Sequence, residues 1–92
     1  MTVQSTFADP APVAVVFTRK HCGPCGATVR RFEALGIPHE VRDLAEHLQD
    51  AERLRRQGHM QAPVVEPTSP SIPAWSGFRP ERIATLADYK LS

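Results

Sequence analysis

The sequence contains little cysteine, few aromatic residues, almost no net charge and no long hydrophobic run. Its 92 residues include two cysteines, one tryptophan and one tyrosine, and the formal net charge is +1. A charge so close to zero gives no electrostatic reason to expect binding to nucleic acid or to a membrane surface. No apolar stretch approaches the roughly 18 residues that a membrane-spanning helix requires. These absences favour a small globular protein without a nucleic-acid or membrane partner.

The beginning of the chain lacks the features of an export signal. Residues 1–10 contain neither a basic region nor an apolar one, so we expect a cytoplasmic protein. In a reducing cytoplasm, closely spaced cysteines are usually catalytic or bind a metal. Because residues 1–11 carry few apolar side chains, we expect them to form a flexible extension that precedes a single folded domain at residues 12–92.

The two cysteines are separated by only two residues, in the segment Cys22-Gly23-Pro24-Cys25. At this spacing a disulfide can form with almost no movement of the backbone. Gly23 and Pro24 favour a tight turn that opens a helix. The segment therefore predicts a reversible redox switch rather than a structural crosslink.

Hydrophobic periodicity predicts the element order β-α-β-α-β-β-α. The apolar run at residues 13–17 is typical of a buried strand, and apolar positions that recur with helical spacing from Cys25 onwards predict a helix that ends at Gly36. An opening β-α-β unit implies parallel strands, and two consecutive strands near the end imply a hairpin. We therefore expect an α/β protein of the thioredoxin-like fold class, with a four-stranded mixed sheet and three helices that cover both faces.

The second helix of this pattern is predicted from its cap and its apolar stripe. Asp43 followed by Glu46 has the spacing of a capping box, which places the start of the helix at Leu44. Gly58 is expected to end it. The side chains expected to face the core are those of Leu44, Leu48, Ala51 and Leu54.

Cys22 is the cysteine whose position favours a thiolate. It lies at the N-terminal end of the first predicted helix, where free backbone N–H groups and the helix dipole stabilise negative charge. Arg19, Lys20 and His21 precede it and add positive charge. Cys25 lies one turn further into the helix, which favours a buried thiol that resolves a mixed disulfide.

Zinc binding is the alternative to redox chemistry for an isolated pair of cysteines. The chain has four histidines that could complete such a site: His21, His39, His47 and His59. However, neither a second cysteine pair nor a histidine pair follows at zinc-finger spacing. We therefore expect no metal, and no cofactor besides a disulfide between Cys22 and Cys25.

Three segments of the chain carry a family resemblance: Thr18-Arg19-x-x-Cys22-x-x-Cys25, Gln61-Ala62-Pro63-Val64-Val65 and Trp75-Ser76-Gly77-Phe78-Arg79-Pro80. They resemble the NrdH-redoxins, a family of small glutaredoxin-like proteins with thioredoxin-like activity. The hexapeptide at residues 75–80 is the most specific of the three, and the resemblance extends over residues 13–88. By this resemblance, residues 12–92 are expected to form a thioredoxin/glutaredoxin-like redox domain.

The resemblance implies a thiol–disulfide oxidoreductase that donates electrons to class Ib ribonucleotide reductase and is reduced by thioredoxin reductase. In such a cycle Cys22 is the nucleophile, Cys25 is the resolving thiol and Pro63 is a cis-proline beside them. A carrier of this kind presents one thiol face to two partners in turn, so we expect a monomer. The residues that would support the site are Arg19, Gly23, Pro24, Pro63, Trp75, Ser76, Gly77, Phe78 and Arg79.

Glutathione is the alternative reductant. In glutaredoxins that use it, the turn comparable to residues 75–80 offers small and acidic residues to glutathione, whereas this chain has Phe78 and Arg79 there. A bulky ring at that place should obstruct the tripeptide. The alternatives to the main interpretation are a glutathione-dependent glutaredoxin, a general protein disulfide reductase, and a non-catalytic module that binds metal or docks a partner.

Two features depart from the usual NrdH-redoxin pattern. Gly23 and Pro24 form the dipeptide of thioredoxin, so a strongly reducing potential near about −270 mV is expected. The loop at residues 66–74 is longer and richer in proline than in the family. We expect this loop, like the N-terminal extension, to lie where a partner could dock.

Overall fold

The computed structural model describes residues 11–91 and confirms the predicted order of elements. Of the expected extension at residues 1–11, all but Ala11 lies outside the described residues. Along the described part of the chain, no helix is long and apolar enough to cross a membrane. The elements are, in chain order, β1 (Ala14–Thr18), α1 (Gly23–Ala34), β2 (His39–Asp43), a 3-10 helix (Leu44–Glu46), α2 (Leu48–Arg56), β3 (Val64–Pro67), β4 (Trp75–Ser76) and α3 (Pro80–Leu91).

The four strands form one mixed sheet in the order β2-β1-β3-β4. β1 pairs in parallel with β2 and antiparallel with β3, and β3 and β4 form an antiparallel hairpin. The central strand β1 is thus hydrogen-bonded on both sides, with Val16 opposite Val41 of β2 and Val65 of β3. The mixed four-stranded sheet of the thioredoxin-like fold is therefore confirmed.

Helices cover both faces of the sheet. Side chains alternate between the faces along each strand, so each face has its own buried cluster. On one face, Val16 and Val65 belong to a buried cluster with Phe32 of α1 and with Ile83 and Leu86 of α3. On the other face, the buried cluster consists of Phe17, Val64 and Leu54. The two central strands are thus enclosed from both sides, which explains their nearly continuous apolar sequence.

α1 ends where the sequence predicts, at a glycine with a left-handed backbone. Gly36 has a φ of 67°, a conformation that glycine adopts without steric cost. Its N–H donates to the carbonyl of Glu33, and the N–H of Ile37 donates to that of Phe32, which is the hydrogen-bond pattern of a Schellman motif. Ile37 and Phe32 are buried in the same core cluster, so the motif turns the chain directly towards β2.

The start of α2 corrects the prediction for the second helix. Asp43 does cap a turn, since its carboxylate accepts a hydrogen bond of 2.8 Å from the N–H of Ala45, but that turn is the 3-10 helix. α2 begins only at Leu48, which is 71% exposed, and of the predicted apolar stripe only Leu54 is fully buried. A 3-10 helix has about three residues per turn rather than 3.6. Apolar positions counted from Leu44 therefore fall out of phase with those of α2.

Ion pairs join β2, α2 and β3 on the face of the sheet that α2 covers. Arg42 of β2 binds Glu40 of the same strand and Asp50 of α2. Arg53 of α2 binds Asp50 as well and also Glu66 of β3. Desolvation raises the pKa of the Asp50 carboxyl, but hydrogen bonds from Arg53 and Arg42 outweigh it and leave that pKa lowered. Asp50 in its ionised form therefore links both arginines.

We expect the Asp50→Asn variant to lose stability in a pH-dependent way. Because the folded-state pKa of Asp50 is lowered, its carboxylate contributes stability above the unfolded-state pKa of about 4. That contribution is lost as the pH falls through the folded-state value. Urea denaturation near about pH 7 should show a loss of roughly 1 to 2 kcal/mol in the variant, and the loss should shrink as the pH falls below about 4.

The control for this experiment is Glu52→Gln, which removes an exposed carboxylate from the same helix. Exposed ion pairs contribute little stability, so the control should resemble the natural protein at both pH values. A loss in Asp50→Asn that is independent of pH, or that the control reproduces, contradicts the role assigned to Asp50.

Candidate active site

The two cysteines lie at the junction between β1 and α1. β1 ends at Thr18, a short connection follows, and α1 begins at Gly23 with Cys22 as its N-cap residue. His21 in this connection has a φ of 56°, which is uncommon for a residue other than glycine. The Cα atoms of Cys22 and Cys25 are 5.3 Å apart, and their sulfurs form a disulfide. The structure therefore shows the oxidised form of the predicted switch.

The first turn of α1 directs its N–H groups towards Cys22. The Sγ atom of Cys22 accepts a hydrogen bond of 3.2 Å from the N–H of Cys25, and the Cys22 carbonyl accepts one of 3.3 Å from the N–H of Gly26. Pro24 in the same turn has no N–H to satisfy, and the turn contains no acidic residue. The helix N-terminus therefore stabilises negative charge on this sulfur, and no carboxylate of the turn opposes it.

The two cysteines differ in exposure. Cys25 is 4% exposed, whereas Cys22 is only half-buried. A disulfide of another protein can therefore approach the sulfur of Cys22, while the sulfur of Cys25 is reached from within the protein.

Thr28 is a residue of the site that sequence reasoning missed. Its side chain is fully buried one turn beyond Pro24, and its hydroxyl donates a hydrogen bond of 2.8 Å to the Pro24 carbonyl. This bond holds the turn between the cysteines against the body of α1. The signal in the sequence is a threonine four residues after the proline, a spacing at which a hydroxyl reaches the backbone of the preceding turn.

The other predicted segments reach the same edge of the sheet through strand register. Phe17 near the end of β1 pairs with Val64 at the start of β3, and Val64 pairs with Ser76 of β4. Pro63, which precedes β3, and Gly77, which follows β4, therefore lie at the edge where β1 leads to the cysteines. The N–H of Gly77 donates a hydrogen bond of 2.8 Å to the Pro63 carbonyl, which joins the two segments.

Two special backbone positions shape these segments. The peptide bond between Ala62 and Pro63 is cis, as expected, and Gly77 has a φ of 88°. Residues with a side chain rarely adopt that φ. A Cβ atom added to Gly77 would lie 3.6 Å from Oε1 of Gln61, so the turn approaches the residues before Pro63 closely.

The side chains of the hexapeptide divide between core and surface. Trp75 is 4% exposed and belongs to the core cluster beneath α1 and α3, and the guanidinium of Arg82 lies 5.6 Å from its ring centroid. Phe78 is 39% exposed, and Arg79 forms an exposed ion pair with Glu81. Trp75 therefore supports the turn from the core, whereas Phe78 and Arg79 are available at the surface.

Arg19 lines a groove of about 440 Å³ between the connection after β1, α2 and the residues before Pro63. Its guanidinium forms no ion pair with any side chain that the structure describes. The apolar side chains of the groove are those of Leu44, Leu48, Ala51, Leu54, Met60, Ala62 and Val64. Arg19 is thus exposed beside an apolar surface rather than bound to the cysteines.

The long loop between β3 and β4 lies away from the cysteines. The N–H of Thr68 donates a hydrogen bond of 2.9 Å to the carbonyl of Val13, and Val13 immediately precedes β1. The cysteines follow the other end of that strand, about 17 Å away at roughly 3.3 Å per residue. Thr68 thus places this loop at the opposite edge of the sheet from the disulfide, away from the face that a partner of the cysteines would use.

The zinc alternative has no ligand set in the part of the chain that the structure describes. Within residues 11–91, no group of three or more histidine, cysteine, aspartate or glutamate side chains could hold a metal ion. Three of the four histidines instead use Nδ1 in hydrogen bonds within the protein: His39, His47 and His59.

Comparison with known proteins agrees with this geometry. The family model described as Glutaredoxin matches residues 14–66. The glutaredoxin-like protein NrdH of Escherichia coli strain K12 is 41% identical over 71 residues, which are 77% of this chain and 84% of that protein. NrdH of Salmonella typhimurium strain LT2 is 39% identical over the same shares of the two chains.

A solved structure shows the same likeness in three dimensions. The structure of NrdH-redoxin from Escherichia coli, described as the basis for a thioredoxin-like activity profile, superposes with a TM-score of 0.72 and 38% sequence identity. The match covers 79% of this chain and 92% of that one.

We expect the reduced protein to react with iodoacetamide first at Cys22. The thiolate is the reactive form of cysteine, and Cys22 combines greater exposure with the helix N-terminus, so it should react at least about tenfold faster than Cys25. Peptide mass spectrometry after brief alkylation near about pH 7 measures the two rates. In the urea-unfolded protein the difference should disappear, and faster labelling of Cys25 in the folded protein would contradict the assignment.

Proposed function

Because this chain belongs to the glutaredoxin family and, within it, to the NrdH-redoxins, we propose that it carries electrons from thioredoxin reductase to a class Ib ribonucleotide reductase. It is a thiol–disulfide oxidoreductase whose redox centre is the disulfide between Cys22 and Cys25. The proposal depends on one observation: this disulfide, the Pro63 segment and the turn with the exposed Phe78 meet at one edge of the sheet.

The reaction is an exchange of bonds between sulfur atoms. In the reduced protein, the Cys22 thiolate attacks one sulfur of the partner's disulfide, a mixed disulfide forms, and the other partner sulfur leaves as a thiolate that takes up a proton. Cys25 then loses its proton and attacks the Cys22 sulfur, which releases the second partner thiolate and closes the Cys22–Cys25 disulfide. Two electrons pass to the partner, and thioredoxin reductase restores the dithiol by the same exchange in the opposite direction.

Phe78 supports the choice of thioredoxin reductase over glutathione. Its ring is 39% exposed in the turn that adjoins the Pro63 segment, where a bound tripeptide would need space. Glu81, an acidic group close to this turn in sequence, is engaged by Arg79 and so offers less to an ammonium group. The thioredoxin-like activity profile described for the Escherichia coli NrdH-redoxin favours the same reductant.

A glutathione-dependent glutaredoxin is the second candidate function. The observation that favours it is the groove lined by Arg19, whose volume of about 440 Å³ is in the range of small-molecule sites. The guanidinium of Arg19 would attract a carboxylate of such a ligand. In that case glutathione, rather than a reductase, would reduce the Cys22–Cys25 disulfide.

We expect NADPH with thioredoxin reductase to sustain reduction of class Ib ribonucleotide reductase by this protein, and NADPH with glutathione and glutathione reductase not to do so. Consumption of NADPH measures both reactions. Cys22→Ser should abolish turnover, because the attacking thiolate is lost. Cys25→Ser should instead accumulate the mixed disulfide, visible by mass spectrometry without reductant. Turnover with glutathione alone, or full activity of either variant, would refute the proposal.

We also expect Phe78→Ala to gain glutathione-dependent turnover of about tenfold, because a steric block against the wrong ligand would be removed. The initial rate of NADPH oxidation with glutathione and glutathione reductase measures the gain. Leu35→Ala is the matched control, since Leu35 is an apolar residue of similar exposure, 38%, at the far end of α1. If Phe78→Ala stays inactive with glutathione, or Leu35→Ala gains equally, the ring does not exclude the tripeptide.

A further inference from the structure

We propose that His59 is a positioning residue which, through Ser76, holds the turn at residues 76–79 against the Pro63 segment and thereby sets how tightly a partner protein binds. The inference rests on the proposed function and extends it to a residue that the exchange of sulfur bonds does not use. It starts from a hydrogen bond of 2.7 Å between Nδ1 of His59 and Oγ of Ser76, which are 17 residues apart in the chain.

The backbone of His59 is fixed to α2. Gly58 has a φ of 96°, and the N–H of His59 donates a hydrogen bond of 3.0 Å to the carbonyl of Leu54. The N–H of Gly58 donates to the carbonyl of Arg55 at 3.0 Å, so α2 also ends in a Schellman motif. Leu54 is 2% exposed and belongs to the core. The half-buried imidazole of His59 therefore projects from a rigid support.

Ser76, in contrast, lies on a short edge strand. β4 consists of Trp75–Ser76 alone, and it pairs with β3 through these two residues. So short an edge strand has little stability of its own. Beyond β4, the backbone bond from Gly77 to Pro63 and the side-chain bond from Ser76 to His59 attach the turn to its neighbours. Without the side-chain bond, the turn loses its attachment to α2.

The position of this turn matters for partners because it carries exposed side chains next to the redox site. Phe78 lies on this turn. His59 and Gln61, which precede Pro63, line the groove of about 440 Å³ together with Arg19. A protein seated over the disulfide would contact both loops. Neither His59 nor Ser76 has a hydrogen bond to a cysteine among the described residues, so we expect the bond to affect binding and not the potential.

The bond is suited to a constant positioning role. A serine hydroxyl both donates and accepts hydrogen bonds. It can therefore pair with Nδ1 of His59 whether that atom carries a proton or not.

The test is a double-mutant cycle with His59→Leu and Ser76→Ala, each alone and combined, in the full chain. KM for this protein in the thioredoxin reductase reaction should rise by about threefold to tenfold in each single variant, the effect of one lost hydrogen bond. The double variant should be no worse than the worse single one, because both changes remove the same bond. The kcat and the redox potential should stay unchanged. His59→Asn, which keeps a polar atom near Nδ1, should recover most of the KM.

Ser71→Ala is the matched control, since it removes an exposed hydroxyl from the loop between β3 and β4 that bonds Ser69. It should behave as the natural protein. An unchanged KM in the variants, effects that simply add in the double variant, or a shifted potential would overturn the inference.

A second measurement separates this inference from the proposed function. If thioredoxin reductase does not reduce the natural protein at all, the proposed function fails, and amide hydrogen exchange then decides about His59. The Gly77 amide should exchange faster in His59→Leu and Ser76→Ala than in the natural protein and Ser71→Ala. Equal exchange in all four proteins would overturn the inference.

Discussion

The register of β3 between its two neighbours is the constraint on which the rest of the structure depends. Val64 pairs with Phe17 on one side and with Ser76 on the other. A slip of one residue would bring either Glu66 into the place of Val65 or Pro63 into the place of Val64, and so disturb one of the two core clusters. The same slip would carry Pro63 away from the end of β1. The pairing of β3 with its two neighbours therefore both packs the core and assembles the redox site, so selection for a stable core also maintains the site.

The N-terminus of α1 shows where stability and reactivity compete. Serine, threonine, aspartate and asparagine are the residues that cap helices best, but the cap of α1 is Cys22, whose sulfur is a weak acceptor. The hydroxyl of Thr28 supports this turn from inside the helix. The C-terminus of α1 ends in a Schellman motif at Gly36, where stability and reactivity do not compete. At α1 the protein thus has a weaker cap at the place where a thiolate has to form.

Local chemistry explains which parts of the structure could be predicted from sequence. The end of α1 was predictable because Gly36 acts within one turn, and the place of Cys22 at the start of α1 because Pro24 marks the first turn of a helix. The start of α2 was not, since Asp43 satisfies a capping pattern for a 3-10 helix as well as for an α-helix. The contact between His59 and Ser76 arises because His59 precedes β3 and Ser76 lies on β4, which pairs with β3. The two residues are 17 positions apart, so no local spacing in the sequence predicts the contact. The meeting of the cysteines with residues 75–80 followed from family resemblance rather than from periodicity.

Reversible chemistry also limits where specificity can lie. Two hydrogen bonds of the turn between the cysteines, from Gly26 to the Cys22 carbonyl and from Thr28 to the Pro24 carbonyl, do not involve a sulfur. Because these two bonds do not depend on the disulfide, we expect this backbone to keep its position when the disulfide is reduced. Under the proposed function, recognition of the two partners would then depend on loops that keep their position in both redox states. The turn that bears Phe78 is such a loop, so its attachment to the body of the protein bears on partner binding, while the thiols carry the electrons.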